Sequence, residues 1–221
     1  MSIQPRAVSG SLTDAAYETI KRLIRTCALA PGSRITEKQL AEDLGYGKTP
    51  VREALARLVN ENFVRVIPRS GYEVTPLTLR DFQDIFELSR IVWPAMMALA
   101  AERSPDNFPT SRSLREGAET GNWIEDGRSW LAAAANATGN QRLAETCMHL
   151  YDEMERFFSL MIRHHGVPLS LTEMEEQIST AFSRRDTAEL KRLVCMLIDR
   201  MEEEFLAVLH KLPSILDTPL P

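Results

Sequence analysis

The chain is poor in the features of secreted, membrane-bound or metal-dependent proteins. It has three cysteines in 221 residues, at positions 27, 147 and 195, an odd number spread widely through apolar helical surroundings. That excludes a disulfide framework or a cysteine zinc site and points to buried thiols in a reducing compartment. No apolar run reaches the roughly 18 residues that a membrane span needs. The opening residues, Met1-Ser2-Ile3-Gln4-Pro5-Arg6, lack the basic-then-apolar build of a secretory leader. A cytoplasmic protein without membrane contact is expected. Histidine is also scarce, at four. His149 and His210 stand alone, and the adjacent pair His164-His165 diverges at a helix end before Gly166, where cationic side chains suit the helix dipole. No arrangement of nucleophile and base can be assembled from these residues, so an enzyme is not expected.

What the chain does have is an ordinary globular composition, 44% hydrophobic and 26% charged, with enough length for two modest domains. Its net charge of −5 hides a division. Residues 1–78 carry eleven Lys/Arg against eight Asp/Glu (+3), and the remainder carries fifteen against twenty-three (−8). A basic head on an acidic body suits a head that binds a polyanion. The expected layout is a flexible start over 1–10, a basic domain over 11–76, an all-helical domain over 77–212 and a flexible tail over 213–221.

In the head, Tyr17, Ile20, Leu23, Ile24 and Cys27 recur at helical spacing from Leu12 to about Cys27, with Lys21, Arg22 and Arg25 outward. Ala30-Pro31-Gly32-Ser33 breaks that helix. A second helix opens on a capping box, Thr36 with Gln39, and ends at Gly45 in a left-handed turn. Tyr46-Gly47-Lys48 leads to a third helix opening at Thr49-Pro50, a capping hydroxyl followed by proline. Two short helices joined so tightly cross at a large angle, the helix-turn-helix arrangement. On the third helix, Val51, Leu55, Leu58 and Val59 form one side. Lys48, Thr49, Arg52, Glu53 and Ala56 share the other, near the N-terminus whose amides and dipole attract phosphate. Arg52 can reach the O6 and N7 edge of guanine, and the small Ala56 permits close approach. Phe63–Ile67 and Tyr72–Val74 then read as strands around the turn Pro68-Arg69-Ser70-Gly71, forming a wing with a basic tip. There Gly71 is expected to let the wing approach DNA closely.

The run Leu44-Gly45-Tyr46-Gly47-Lys48-Thr49-Pro50-Val51-Arg52-Glu53-Ala54-Leu55 resembles the signature of the GntR family of bacterial regulators. So do Pro31–Glu37 before it and Arg69–Val74 after it. In FadR-type relatives DNA is contacted from the second helix, the start of the recognition helix and the wing tip. The resemblance therefore implies DNA-binding roles for Lys38, Lys48, Thr49, Arg52, Arg69, Ser70 and Gly71, with Arg57 counted among them. Gly47-Lys48 stands where the family usually has Ser-Arg. Lysine keeps the phosphate attraction and loses the forked donor pair, so specificity there departs from that of relatives.

Beyond Thr78 the pattern is helical. Arg80–Glu102 reads as one long helix containing Pro94, and 104–122 as a loop. Further helices are expected over Gly127–Ala137, Gln141–His164, Leu171–Arg184 and Asp186–Lys211, with connections short enough to imply an antiparallel bundle. The methionines (Met96, Met97, Met148, Met154, Met161, Met174, Met196, Met201) read as adaptable bundle core, and Glu202–Glu204 as a solvated face. The runs Trp130–Leu143 and Glu175–Asp186 resemble the effector domain of FadR-type regulators, which often holds a metal through one Asp and three His. On the matching registers stand Gly127, Leu131, Glu175 and Leu197, so the metal site is read as lost and no metal or cofactor is expected. The family's arginine early in this domain is replaced by Ser89, with Arg90 beside it. Arg90, Trp93, Trp130, Leu131, Asn136, Glu175 and Leu197 are the candidate effector contacts, with Arg90 available to anchor an organic acid. The alternative is that the apolar members simply fill the old metal space. The expected whole is a mainly α-helical homodimeric regulator, a repressor by analogy, that binds a pseudo-palindromic duplex and senses a small metabolite. The other reading is a ligand-independent regulator whose bundle only dimerises.

Overall fold

The computed structural model describes residues 11–104, 123–166 and 174–211. The chain divides into two compact units between Leu77 and Thr78.

The first unit opens with α1, Leu12–Arg25. Its start is fixed by a reciprocal capping box: Ser11 Oγ accepts from the Asp14 amide while the Asp14 carboxylate takes the Ser11 amide. The helix stops before Cys27, which adopts a left-handed φ of 52°. A two-residue strand follows, β1 (Arg34–Ile35), and then α2, Glu37–Leu44. Thr36 caps α2 by accepting from the Gln39 amide. The expected return bond is replaced, since Gln39 Nε2 donates to Asp43 instead. Gly45 ends α2 with φ 72°. Helix α3 spans Lys48–Asn60, two residues earlier than Thr49 capping would place it, because Gly47 is the N-cap. Strands β2 (Val64–Ile67) and β3 (Gly71–Val74) form the wing, closed by Ser70 N–H donating to Ile67 C=O at 3.0 Å. The sheet order is β1-β3-β2, antiparallel throughout. The expected hairpin thus gains a third strand.

Ala16, Ile20 and Ile24 of α1 bury against Val51, Ala54, Leu55 and Leu58 of α3, with Leu40, Phe63 and Val74 completing the core. Each fully buried branched side chain contributes roughly 1.5–3 kcal/mol. The 100° advance of α3 therefore settles its orientation: one side is sealed, and Lys48, Thr49, Arg52 and Ala56 are exposed.

The second unit is helical among its described residues. Helix α4 (Leu79–Arg103) starts on a Thr78–Asp81 capping box and runs unbroken through a buried Pro94. Helices α5 (Trp123–Ala137) and α6 (Gln141–His165) are joined by only three residues, with Gly139 left-handed at φ 62° and Asn140 capping α6. They pack on each other, which such a short link permits only antiparallel. Helices α7 (Glu175–Ser183) and α8 (Thr187–Lys211) are likewise joined by three residues. Helix α4 is the common support, packing on α8, α5 and α6. Phe82 anchors this core, with ring centroids 4.4 Å from Phe86, 5.4 Å from Phe157 and 4.3 Å from Phe205. The loop expected over 104–122 lies almost wholly outside the described residues.

Candidate nucleic-acid interface and effector cavity

Because Gly47 has no side chain, nothing caps the first turn of α3. The amides of Lys48 and Thr49 are left to the outside at the positive end of the helix dipole. The Lys48 and Thr49 side chains are exposed around that turn. Arg52 follows one turn on, 60% exposed, with Nε 3.7 Å from a Glu37 carboxylate oxygen. Glu37 in turn receives the Tyr72 hydroxyl at 3.3 Å. This loose ion pair leaves the guanidinium fork free to turn toward a partner. Burial raises the Tyr72 phenol above its usual value, and the Glu37 charge adds to the rise. Glu37 and Tyr72 are supporting residues that the sequence reading missed, since 35 positions separate them and nothing in their spacing pairs them. Lys38 on α2 is 73% exposed, 4.0 Å from Glu42. Arg69 sits at the wing tip with φ 63° and is exposed, as is Ser70.

Two expected DNA contacts have other duties. Arg57 donates to Asp14 at 2.8 Å and stacks its guanidinium 3.7 Å from the centre of the Tyr17 ring. It ties α3 to α1. Gly71 is required by its neighbours: at φ 94° an added Cβ would meet the Ile35 carbonyl oxygen at 2.8 Å. Its absent side chain makes room for β1, which explains the glycine without DNA.

The second unit holds a cavity of about 50 Å³. Trp93, Trp130, Leu131 and Leu197 of the expected effector contacts line it, together with Gly127, Met97, Trp123, Tyr151 and Met201. No nitrogen or oxygen atom contributes to its exposed wall. Three of the registers that the resemblance assigns to a metal, Gly127, Leu131 and Leu197, converge here without offering a donor atom. Among the described residues no three His, Cys, Asp or Glu side chains could share a metal ion. The side chains of Glu175, His164, His165 and His210 lie outside the described residues. Asn136 is exposed on α5, and it does not line the cavity. Arg90 does not line it either: its guanidinium donates to Asp199 at 2.8 Å and to Glu202. Burial would lower its pKa, but these two partners raise it.

A feature the sequence reading missed is a buried charge cluster. Arg128 of α5 donates to Asp152 and, at 2.7 Å, to Glu155, both on α6. Arg128 is 17% exposed, Asp152 6% and Glu155 1%. Burial alone would lower the guanidinium pKa, but the two carboxylates overcome it and hold the arginine charged. Asp152 and Glu155 at i, i+3 share one side of α6, a signal readable in sequence. The third member, 24 positions away, was not.

Residues 12–74 match the model of the family "Bacterial regulatory proteins, gntR family". The N-terminal unit belongs to the GntR family. Over 107 residues the chain is 36% identical to the transcriptional regulator McbR of Escherichia coli K12, 48% of each protein. Over 194 residues it is 22% identical to the transcriptional repressor GlaR of the same organism, covering 80% of this chain and 88% of that protein. The matched part spans about half or less of the length of the first curated relatives. The solved structure of E. coli McbR/YncC has the same fold as this chain, with a TM-score of 0.77 at 24% identity, covering 90% of this chain and 98% of that one. A winged head followed by a helical unit is thus the shared architecture. None of the described helices is long and apolar enough to cross a membrane.

Proposed function

We propose that the chain is a transcription repressor that binds a pseudo-palindromic operator as a homodimer and whose helical unit admits a small effector without a metal. The observation that carries the reading is the start of α3. Uncapped amides, Lys48, Thr49 and Arg52 stand exposed together, and the wing tip supplies Arg69. Free amides and lysine take phosphate, and an arginine one turn on reads a base edge in the major groove. A symmetric dimer would set two such helices about one turn of duplex apart. The similarity of the head to GntR regulators supports DNA as the polyanion. The word repressor rests on the description of the relative GlaR. The absence of donor atoms at Gly127, Leu131 and Leu197 supports a metal-free bundle.

The test is operator retardation at several salt concentrations. Arg52→Ala is expected to weaken specific binding by roughly 1–3 kcal/mol and to relax preference at one base position. Lys48→Ala is expected to weaken all sequences alike and reduce the salt slope by about one. Unchanged affinity in Arg52→Ala would remove it from the base-reading set. One observation favours a second reading, in which the bundle only dimerises: at about 50 Å³ the cavity is small. An operator affinity indifferent to every added compound would favour that alternative.

A further inference from the structure

Resting on the reading of the helical unit as an effector domain, we infer that its cavity is a site for a small uncharged apolar molecule, aromatic by preference, and not for an organic acid. The chain has three tryptophans, and all three, Trp93, Trp123 and Trp130, line this one cavity. They come from two helices, α4 and α5, with Trp123 and Trp130 a heptad apart on α5. Such a convergence gives broad flat walls, which favour an aromatic guest through offset and edge contacts.

The wall excludes an anion on two grounds. Its exposed surface carries no nitrogen or oxygen, so a carboxylate entering it would shed its water and meet no charged group on the wall. Two described arginines close in sequence to lining residues are already neutralised. Arg128, next to Gly127, is held by Asp152 and Glu155. Arg90, three positions before Trp93, is held by Asp199 and Glu202. Each guanidinium faces two carboxylates, so an acid would have to displace a pair of fixed anions to reach either one. Nor would a metal-bridged acid find ligands at Gly127, Leu131 and Leu197.

Size sets the scale of the guest. An apolar cavity of about 150 Å³ stays dry and accepts benzene. This cavity is about 50 Å³, so a single ring needs some yielding of the wall. Met97 and Met201, unbranched and soft, are the lining side chains that can yield. Gly127 contributes no side chain at all. A guest of one ring or less is the class that fits, and wall movement on entry is the means by which binding would reshape α4, α5 and α8.

The three tryptophans also supply the readout. The full-length protein is titrated with benzene and, in parallel, with benzoate, following tryptophan fluorescence. Two variants accompany it: Gly127→Leu, which fills the cavity, and Leu197→Ala, which enlarges it. Benzene is expected to give a saturable change, benzoate none at matched concentration. The benzene response should vanish in Gly127→Leu and reach half-saturation at several-fold lower concentration in Leu197→Ala. The inference is overturned if native protein shows no saturable benzene response, if benzoate matches it, or if Leu197→Ala binds benzene no more tightly. The last comparison holds even if Gly127→Leu fails to fold. Operator retardation of the same sample without benzene or benzoate separates the two readings. Intact DNA binding with no benzene response overturns the ligand class alone, and a benzene response without DNA binding overturns the regulator and leaves the cavity assignment standing.

Discussion

The two units use arginine in opposite ways. In the winged head, Arg52 and Arg69 are exposed on the proposed binding side, and the carboxylate paired with Arg52 lies at 3.7 Å. In the helical unit, Arg90 and Arg128 each close on two carboxylates. On the side proposed to meet phosphate, the head keeps its arginines loosely held. A body with an apolar cavity ties its cations down, so that no buried charge is left uncompensated. The same side chain stands open on one face of the head and is a clasp between helices in the body, and the local carboxylate count decides which.

The largest expected effect tests that clasp. Arg128→Met keeps an unbranched apolar stem and strands Asp152 and Glu155, which are 6% and 1% exposed. Removing one partner from a buried charge network costs about 3–5 kcal/mol. Denaturant unfolding should show the variant melting much earlier. Adding Asp152→Asn and Glu155→Gln should restore most of the loss, because no charge is then left unpaired. If Arg128→Met unfolds at the native midpoint, the cluster is solvated and the contrast between the units fails.

The contrast was partly legible in the sequence, and the reasons are physical. Helical periodicity sorted α3 correctly into a sealed side (Val51, Leu55, Leu58) and an open side, because every residue involved lies within four turns of one helix. The left-handed end of α2 at Gly45 followed from glycine alone. Strand β1 was missed: two residues carry no alternation, and Arg34–Ile35 is a strand only through its pairing with Tyr72 and Glu73. The contacts that Arg57 and Gly71 make within the head were illegible for the same reason. Asp14 is 43 positions from Arg57, and the clash that reserves position 71 for glycine comes from Ile35. In the bundle, family registers brought Trp130, Leu131 and Leu197 together, yet the convergence of all three tryptophans depends on helix packing that no local pattern encodes. Asn136 was drawn into the site by its neighbours in sequence, and it faces outward.

A middling effect sharpens the division inside the head itself. Arg57→Ala removes the stacking contact with Tyr17, worth about 0.5–1 kcal/mol at a partly exposed site, and the bond to Asp14. Arg57 and the Ser11 hydrogen bonds hold the Asp14 carboxyl below its usual range, with Ser11 the larger influence. The interaction is therefore present at neutral pH and lost as pH falls through that depressed value. The variant should melt slightly earlier at neutral pH, with the difference shrinking in acid. Its operator affinity, measured well below its melting temperature, should equal that of the native protein. A clear loss of affinity would return Arg57 to the recognition set.

The smallest effect concerns the dryness of the bundle. Burial pushes the Cys147 thiol up to about 11 from an ordinary 9.0. At pH 8 about one molecule in a thousand would then carry the reactive thiolate at that position. Cys27 is buried as well, whereas Cys195 is half-buried. An aromatic disulfide reagent at pH 8 should therefore modify Cys195 first, and a Cys195→Ser variant should show no fast thiol until denaturant is added. The linkage has a definite sign. Because the folded-state value is raised, the thiol favours the folded state fully below pH 9 and loses that advantage as pH climbs toward 11. A fast-reacting Cys147 in folded Cys195→Ser would mean that water reaches the interior of α6. The bundle would then be as open to solvent as the recognition side of the head, and the apolar cavity would lose the dry surroundings on which its preference for an uncharged guest depends.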